Sequence, residues 1–118
     1  MRIDVDQVLV DFDGAPLPEP QRGEVRPAEG WPPLTVKGVC WRALTTAQVR
    51  TAAGEDALLK RYELAQRIYH GGEIDIDAKE AVLVKQCVAA MYLPLVYGRI
   101  HEVLEHGRQT APHTTKEP

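Results

Sequence analysis

Residues 78–93 form a strongly apolar stretch that limits the folds open to this chain. Tyrosine aside, the polar side chains in the stretch are Lys79, Glu80, Lys85 and Gln86. A helix of this length is too short and too charged to span a membrane, so other segments must cover its apolar surface. The flanking segments 55–70 and 94–106 each carry an apolar stripe at helical spacing. We therefore predict that the 78–93 helix lies at the centre of a helical core.

Helix boundary signals predict four helices. Thr35 is placed to cap a first helix with the sequence VKGVCWRALTT. Asp77 begins the third helix, because an aspartate followed three positions later by a glutamate, here Glu80, is typical of a capping box. Pro94 suits the first turn of the fourth helix, and Gly107 ends it. The boundaries of these helices are therefore predicted from local chemistry alone.

The second predicted helix runs from about residue 55 to residue 70 and ends at a pair of glycines. The side chains that we expect to face the core form a stripe at helical spacing: Leu58, Tyr62, Ala65 and Tyr69, widened by Leu59 and Ile68. The charged side chains that we expect to face solvent are Lys60, Glu63 and Arg67. This helix should cover one side of the central stretch.

The N-terminal segment predicts a β-hairpin. Aliphatic residues alternate with acids at positions 3–6 and then change phase, which is typical of a strand with a bulge. Asp13 and Gly14 supply a two-residue turn. The return strand must be short, because Pro16 and Pro18 lack the backbone donor of a β-ladder. The predicted fold is therefore α+β, with an N-terminal β-hairpin packed on a bundle of about four α-helices.

The remaining segments are predicted to be a loop and a tail. Residues 18–33 form a proline-rich surface loop, and residues 107–118 form a flexible, disordered tail because they contain no large apolar side chain to anchor them. The length of 118 residues predicts one globular domain, residues 1–106. Cys40 and Cys87 fall on apolar faces of predicted helices, which favours reduced core thiols. The N-terminus lacks the apolar run of a signal peptide, so we expect a cytosolic protein.

One motif resembles an enzyme signature. The sequence VLVDFDGAPL, residues 8–17, resembles the first motif of the haloacid dehalogenase superfamily, in which Asp11 would be the nucleophile and Asp13 the acid/base, with Mg²⁺ between them and a phosphate. Ala15 replaces the hydroxyl residue of that motif, Pro16 follows, and the chain is too short for the parallel sheet of the family. Four histidines also lack the spacing of a metal site. We predict no catalytic, cofactor-binding or metal site and assign Asp11 and Asp13 to a turn.

Two features are candidates for interaction with a partner. Trp31 is large enough to anchor an interface, although it could instead belong to the core. Lys60, Arg61 and Arg67 form a modest basic face on the second helix. A net charge of −3 argues weakly against nucleic-acid binding, and the GGEIDID stretch is longer than the turn of a helix-turn-helix. We therefore expect a protein partner, no membrane partner, and DNA binding only as an alternative.

The order of elements and several phrases resemble a known group of proteins. The phrases are IDVDQVLVDFDGAPL, LTVKGVCWRAL, KRYELAQRIY, EIDIDAKEAVLVKQCV and PLVYGRIHEVLE, and they cover most of residues 3–105. In this respect the chain resembles small proteins encoded by tailed bacteriophages and prophages. The resemblance implies a non-catalytic protein-interaction protein in the host bacterial cytoplasm, such as an assembly chaperone or accessory factor, that binds a phage structural protein or a host protein. Self-association is left open, and the alternative is an inhibitor or regulator that binds a host protein or DNA.

Overall fold

The structure is a computed structural model that describes residues 1–17, 33–48 and 55–109. These residues form, in chain order, β1 (Arg2–Asp4), α1 (Val36–Thr46), α2 (Glu55–Tyr69), β2 (Glu73–Asp75), α3 (Ala78–Met91) and α4 (Pro94–His106). The predicted α+β class, with an antiparallel strand pair at the N-terminus and four helices, is confirmed. The loop at 18–32 and the tail from 110 onward lie outside the described residues, so their flexibility stays a prediction.

The helix boundaries follow the predicted capping chemistry. Thr35 Oγ1 accepts a hydrogen bond from the Gly38 amide at 3.0 Å and caps α1. The Asp77 carboxylate accepts from the Glu80 amide at 2.8 Å, and the Glu80 carboxylate accepts from the Asp77 amide at 3.0 Å. Pro94 begins α4, and Gly107 ends it in the left-handed conformation. Each bond satisfies a backbone group that a helix terminus would otherwise leave unpaired.

The strand that pairs with the N-terminus was not predicted. β1 lies antiparallel to β2, with Ile3 opposite Ile74, whereas the sequence predicted a return strand directly after Asp13 and Gly14. That turn is present and closes the predicted short hairpin, through an antiparallel bridge between Val10 and Pro16 and a hydrogen bond of 2.9 Å from the Leu17 amide to the Leu9 carbonyl. The prolines keep this hairpin short, because they limit the ladder that the return segment can form.

The most deeply buried helix is α1, whereas the sequence predicted α3 as the centre; α3 also packs against two helices, α1 and α4. α1 packs against both α2 and α3, and its buried side chains are Val36, Val39, Cys40, Ala43 and Leu44. α3 buries one face through Val84, Cys87 and Val88, while Val82 on another face is 52% exposed. The apolar side chains of α3 surround the helix, but neighbouring elements cover only part of its circumference.

The two cysteines are buried free thiols in α1 and α3, as expected of core residues. Burial raises the pKa of the Cys40 thiol to about 12, because a thiolate would lose its hydration there. Among the described residues, none of the helices combines the length and apolar character that crossing a membrane would require.

Residues 107–109, at the start of the predicted tail, are bonded to the N-terminal segment. Gln109 accepts a hydrogen bond from the Val10 amide at 2.9 Å and donates one to the Val8 carbonyl at 2.8 Å. Gln7 donates to the Gly107 carbonyl at 3.0 Å. These side-chain bonds supply partners for backbone groups that the short sheet leaves unpaired.

Candidate interaction surface

The orientation of α2 differs from the one that the sequence predicted. The side chains that α2 buries are Ala57, Arg61, Leu64, Ala65 and Ile68. Of the predicted core stripe, Leu58, Leu59, Tyr62 and Tyr69 are exposed, the two tyrosines at 59% and 57%. At about 100° per residue, the observed core face is turned from the predicted stripe by roughly one residue. An aromatic and aliphatic stripe that was assigned to the core therefore faces outward.

Arg61 explains this orientation. Its side chain is only 6% exposed and reaches the C-terminal end of α1. There Nε donates to the Leu44 carbonyl at 2.7 Å, and Nη2 donates to the Ala47 carbonyl at 2.6 Å and to the Ala43 carbonyl at 3.4 Å. The last turn of α1 holds no basic residue of its own, so Arg61 supplies both the donors and the positive charge that a helix C-terminus favours.

The sequence contained a usable signal for the buried arginine. Ala57, Arg61, Leu64 and Ile68 follow helical spacing, so they share one face of α2. Because Arg61 was expected to face solvent, the predicted core face of α2 lay closer to the tyrosines than the observed one does. An arginine stem is apolar and its planar head group matches several carbonyls at once, so such a residue can lie inside a core when acceptors are present.

The predicted basic face on α2 does not form as a unit. Lys60 is exposed, but Arg61 is buried, which corrects its assignment as an exposed interaction residue. Arg67 pairs with the Glu80 carboxylate at 2.9 Å and donates to the Asp75 carbonyl at 2.6 Å. The pair with Arg67 lowers the pKa of the Glu80 carboxyl and raises the pKa of the Arg67 guanidinium. The other candidate, Trp31, lies outside the described residues.

A shallow groove of about 290 Å³ lies between the outward face of α2 and the end of α1. The residues that line it are Trp41, Thr45, Tyr62, Ala65, Gln66, Tyr69 and His70. Trp41 meets Tyr69 edge to face, with ring centroids 5.4 Å apart. This contact fixes the Tyr69 ring, because an edge-to-face pair opposes the unlike charges of ring edge and ring face. We call this feature the aromatic groove.

Two cations lie beside the aromatic groove. Lys37 Nζ is 5.8 Å from the centre of the Tyr69 ring, and the Arg42 guanidinium is 5.7 Å from the centre of the Trp41 ring. Both distances fall within the range of cation–π attraction. Among the described residues that line the groove, none is acidic. The groove therefore combines aromatic walls with a positive margin.

The first aspartate of the dehalogenase-like motif, Asp11, holds a turn that includes the second, Asp13. Asp11 Oδ1 accepts hydrogen bonds from the Asp13 amide at 2.9 Å and from the Ala15 amide at 3.0 Å. Buried Arg99 donates to the carbonyls of Val10 and Asp11 at 2.9 Å and 2.8 Å. Within the described part of the chain, no group of three or more histidine, cysteine or acidic side chains could hold a metal ion. The two hydrogen bonds that its carboxylate accepts give Asp11 a structural role in this turn.

A second groove, between α2 and α3, is lined by both signs of charge. Its cations are Lys60, Arg67 and Lys79, and its acids are Glu63, Asp77 and Glu80. The acids at the start of α3 already complete the capping box, and Arg67 already pairs with Glu80. Balanced and internally paired charges give this groove no preference for a ligand of either sign.

Comparisons of the chain with protein-family models, with curated proteins and with solved structures find no match.

Proposed function

We propose that this protein is a non-catalytic protein-interaction protein of the bacteriophage type, acting in the host bacterial cytoplasm as an assembly chaperone or accessory factor. Its partner would be a phage structural protein or a host protein. The observation that carries the binding role is the outward stripe of α2, where Leu58, Tyr62 and Tyr69 are exposed beside half-buried Trp41. The phage assignment is supported by the sequence resemblance described above.

The composition of the stripe favours a protein partner. Tyrosine and tryptophan are the residues that most often supply binding energy at protein interfaces. They do so because a large ring buries much apolar area while losing few rotatable bonds. α2 is also a well-anchored scaffold, since Arg61 ties it to α1 and Arg67 ties it to α3. A partner that binds here would meet side chains held on a rigid helix.

The alternative of an inhibitor or regulator divides according to its target. An inhibitor that binds a host protein could use the same stripe, so it differs from the leading proposal only in the identity of the partner. A regulator that binds DNA has less support, because Arg61 is buried and Arg67 is paired with Glu80. Binding of duplex DNA relies on exposed cations that release counterions.

The test is to select, from a library of displayed random peptides, those that bind the full-length protein. We expect the selected peptides to bind the wild-type protein and to lose binding to the double variant Tyr62→Ser, Tyr69→Ser. Both tyrosines are exposed, so the variant should keep its fold. The matched control is Val82→Ser on α3, which also removes an exposed apolar side chain and should leave binding unchanged. Peptides that bind the double variant and the wild-type protein equally well would refute the proposed surface.

A further inference from the structure

We infer that the outward stripe of α2 mediates reversible self-association, in which α2 packs antiparallel against α2 of a second copy of this chain. The inference rests on the proposed function, which identifies the stripe as the binding face, and adds a means of regulation. Two copies cover each other's stripe until a partner protein displaces one of them. Three observations support it: the spacing of the stripe, its complementarity to itself when one copy is reversed, and the opposite charges at its two ends.

The stripe has the spacing of a coiled-coil seam. Leu58, Tyr62, Ala65 and Tyr69 follow one another at intervals of four, three and four residues, the repeat with which two helices meet along their length. Leu58 and the two tyrosines are between 57% and 62% exposed, and Ala65 forms a small floor between the rings. A continuous apolar stripe on a surface marks an interaction site. The occupant that fits this spacing is a second helix.

The seam is accessible to a second copy of α2. At about 100° per residue, the centre of the stripe lies roughly a quarter of a turn around α2 from the face that buries Arg61, Leu64 and Ile68. α1 packs against that buried face, so it stands beside the seam and not across it. A helix that lies along the seam would therefore meet α1 only at the aromatic groove, through Trp41 and Thr45.

The stripe is complementary to itself when one copy is reversed. In an antiparallel pair centred between Tyr62 and Ala65, Tyr62 of each copy packs over Ala65 of the other, and Leu58 packs against Tyr69. Each layer then joins a larger side chain with a smaller one, as close packing requires. A parallel pair would instead place Ala65 against Ala65 and leave a gap. One surface thus supplies both halves of the contact, which is the property of a two-fold interface.

The charges at the two ends of the stripe favour the same arrangement. Asp56 is exposed in the first turn of α2, whereas at the other end Lys37 Nζ lies 5.8 Å from the centre of the Tyr69 ring. Reversing one copy brings the Asp56 end of each helix to the Lys37 end of the other. A parallel pair would bring like charges together and align the two helix dipoles, both of which are unfavourable.

The size of the stripe predicts a weak dimer. A fully exposed tyrosine side chain presents about 200 Å², so exposures of 59% and 57% leave about 230 Å² for Tyr62 and Tyr69 together. Leu58 and Leu59 are also exposed, and they add less than that. A stable complex buries about 800 Å² on each partner. The dimer should therefore form and dissociate readily, which lets a partner protein compete for the stripe.

Cysteine cross-linking of the full-length protein tests the antiparallel register. Leu58→Cys and Tyr69→Cys are purified separately and then mixed under mild oxidation, while Cys40 and Cys87 stay silent because they are buried. Position 58 of one copy faces position 69 of the other, so a disulfide should form in the mixture. Neither variant should cross-link alone, because equal positions would lie about 16 Å apart along the helices. The control Val82→Cys, exposed on α3, should not cross-link with either variant.

Sedimentation equilibrium of the full-length protein measures the strength of the dimer. We expect a monomer–dimer equilibrium that Tyr62→Ala weakens roughly tenfold, as loss of an aromatic anchor does. Asp56→Lys and Lys37→Glu should each weaken the dimer, because each places like charges at both ends of the pair. The double variant should regain the wild-type strength, since it exchanges the two charges. Val82→Ala should have no effect.

Several outcomes would overturn the inference. These are a monomer at every concentration up to about 1 mM, a dimer of Tyr62→Ala as strong as that of the wild type, or cross-linking of Leu58→Cys with itself as readily as with Tyr69→Cys. A displayed peptide that requires the tyrosines should dissociate the dimer, and one that binds the intact dimer would also overturn it.

The inference and the proposed function can fail separately. If displayed peptides require the tyrosines but the protein stays monomeric, the inference fails while the proposed function stands. If the dimer depends on the tyrosines but none of the peptides requires them, the self-association stands and the proposed function fails.

Discussion

Replacing Arg61 with alanine should destabilise the domain by about 3 kcal/mol. The Arg61 guanidinium donates bonds of 2.7 Å and 2.6 Å to carbonyls at the end of α1. A hydrogen bond from a charged donor contributes about 1.5–3 kcal/mol, so two such bonds contribute about 3–6 kcal/mol. Part of this sum is offset, because the variant no longer buries a guanidinium. Loss of the buried stem adds to the destabilisation, because it leaves a space at the end of α1.

The assay is urea denaturation followed by circular dichroism, together with thermal melts. A loss of about 3 kcal/mol should lower Tm by roughly 10 °C in a chain of this length. Arg61→Lys should fall between the wild type and Arg61→Ala, because an ammonium keeps the charge but lacks the planar fork. The matched control is Lys60→Ala, which alters the exposed neighbouring side chain and should change stability by less than about 0.5 kcal/mol. Equal stabilities for Arg61→Ala and Lys60→Ala would refute the buried position of Arg61.

Two further predictions concern α3. Glu80 has a lowered pKa because of Arg67, so the pair should stabilise the fold above the unfolded-state pKa of Glu80 and cease to do so as the pH falls through the lower folded-state pKa. Denaturation at a series of acidic pH values should therefore show a smaller loss of stability in Glu80→Gln, and an unchanged pH profile would contradict the pairing. Val84 is fully buried and Val82 is half-exposed. Val84→Asp should therefore lower the free energy of unfolding by at least about 3 kcal/mol, because it buries a carboxylate, whereas Val82→Asp should be nearly neutral. Equal thermal melts of the two variants would contradict the orientation of α3.

The parts of the fold that the sequence predicted are those that depend on local chemistry. The capping bonds at Thr35 and Asp77 involve residues three positions apart, and the left-handed end of α4 requires only a glycine at position 107. Such interactions involve only neighbouring residues, so the local sequence is enough to predict them. They were sufficient to predict four helices and most of their boundaries.

The parts that the sequence did not predict depend on residues far apart in the chain. Ile3 of β1 pairs with Ile74 of β2, and the alternating pattern of a short strand does not show which distant segment it pairs with. The central position of α1 depends on how two later helices pack around it. Periodicity identifies an apolar face, but it does not identify which neighbour covers that face.

The candidate site was predicted in part. Lys60 is exposed as expected, but Arg61 is buried. Its acceptors are carbonyls at the end of α1, which are distant in the chain and which the local pattern of α2 does not reveal. The aromatic groove was not predicted, since Tyr62 and Tyr69 fit the pattern of a core stripe. A sequence pattern cannot distinguish an aromatic side chain that fills a core from one that awaits a partner.

The buried arginine and the exposed tyrosines are two results of one choice of helix orientation. Arg61 and Tyr62 are adjacent, so they point about 100° apart around α2. With Arg61 directed at the end of α1, Tyr62 and Tyr69 must lie at the edge of the contact with α1 and face outward. Turning α2 to bury the tyrosines would expose Leu64 and Ile68, each worth about 1.5–3 kcal/mol when buried, and would leave the carbonyls of Leu44 and Ala47 without Arg61. Arg61 and the apolar side chains beside it on α2 thus fix the rotation of the helix and leave the aromatic groove facing solvent. For this reason the stability of Arg61 variants and the binding of peptides to Tyr62 test the same geometry from two neighbouring faces of the helix.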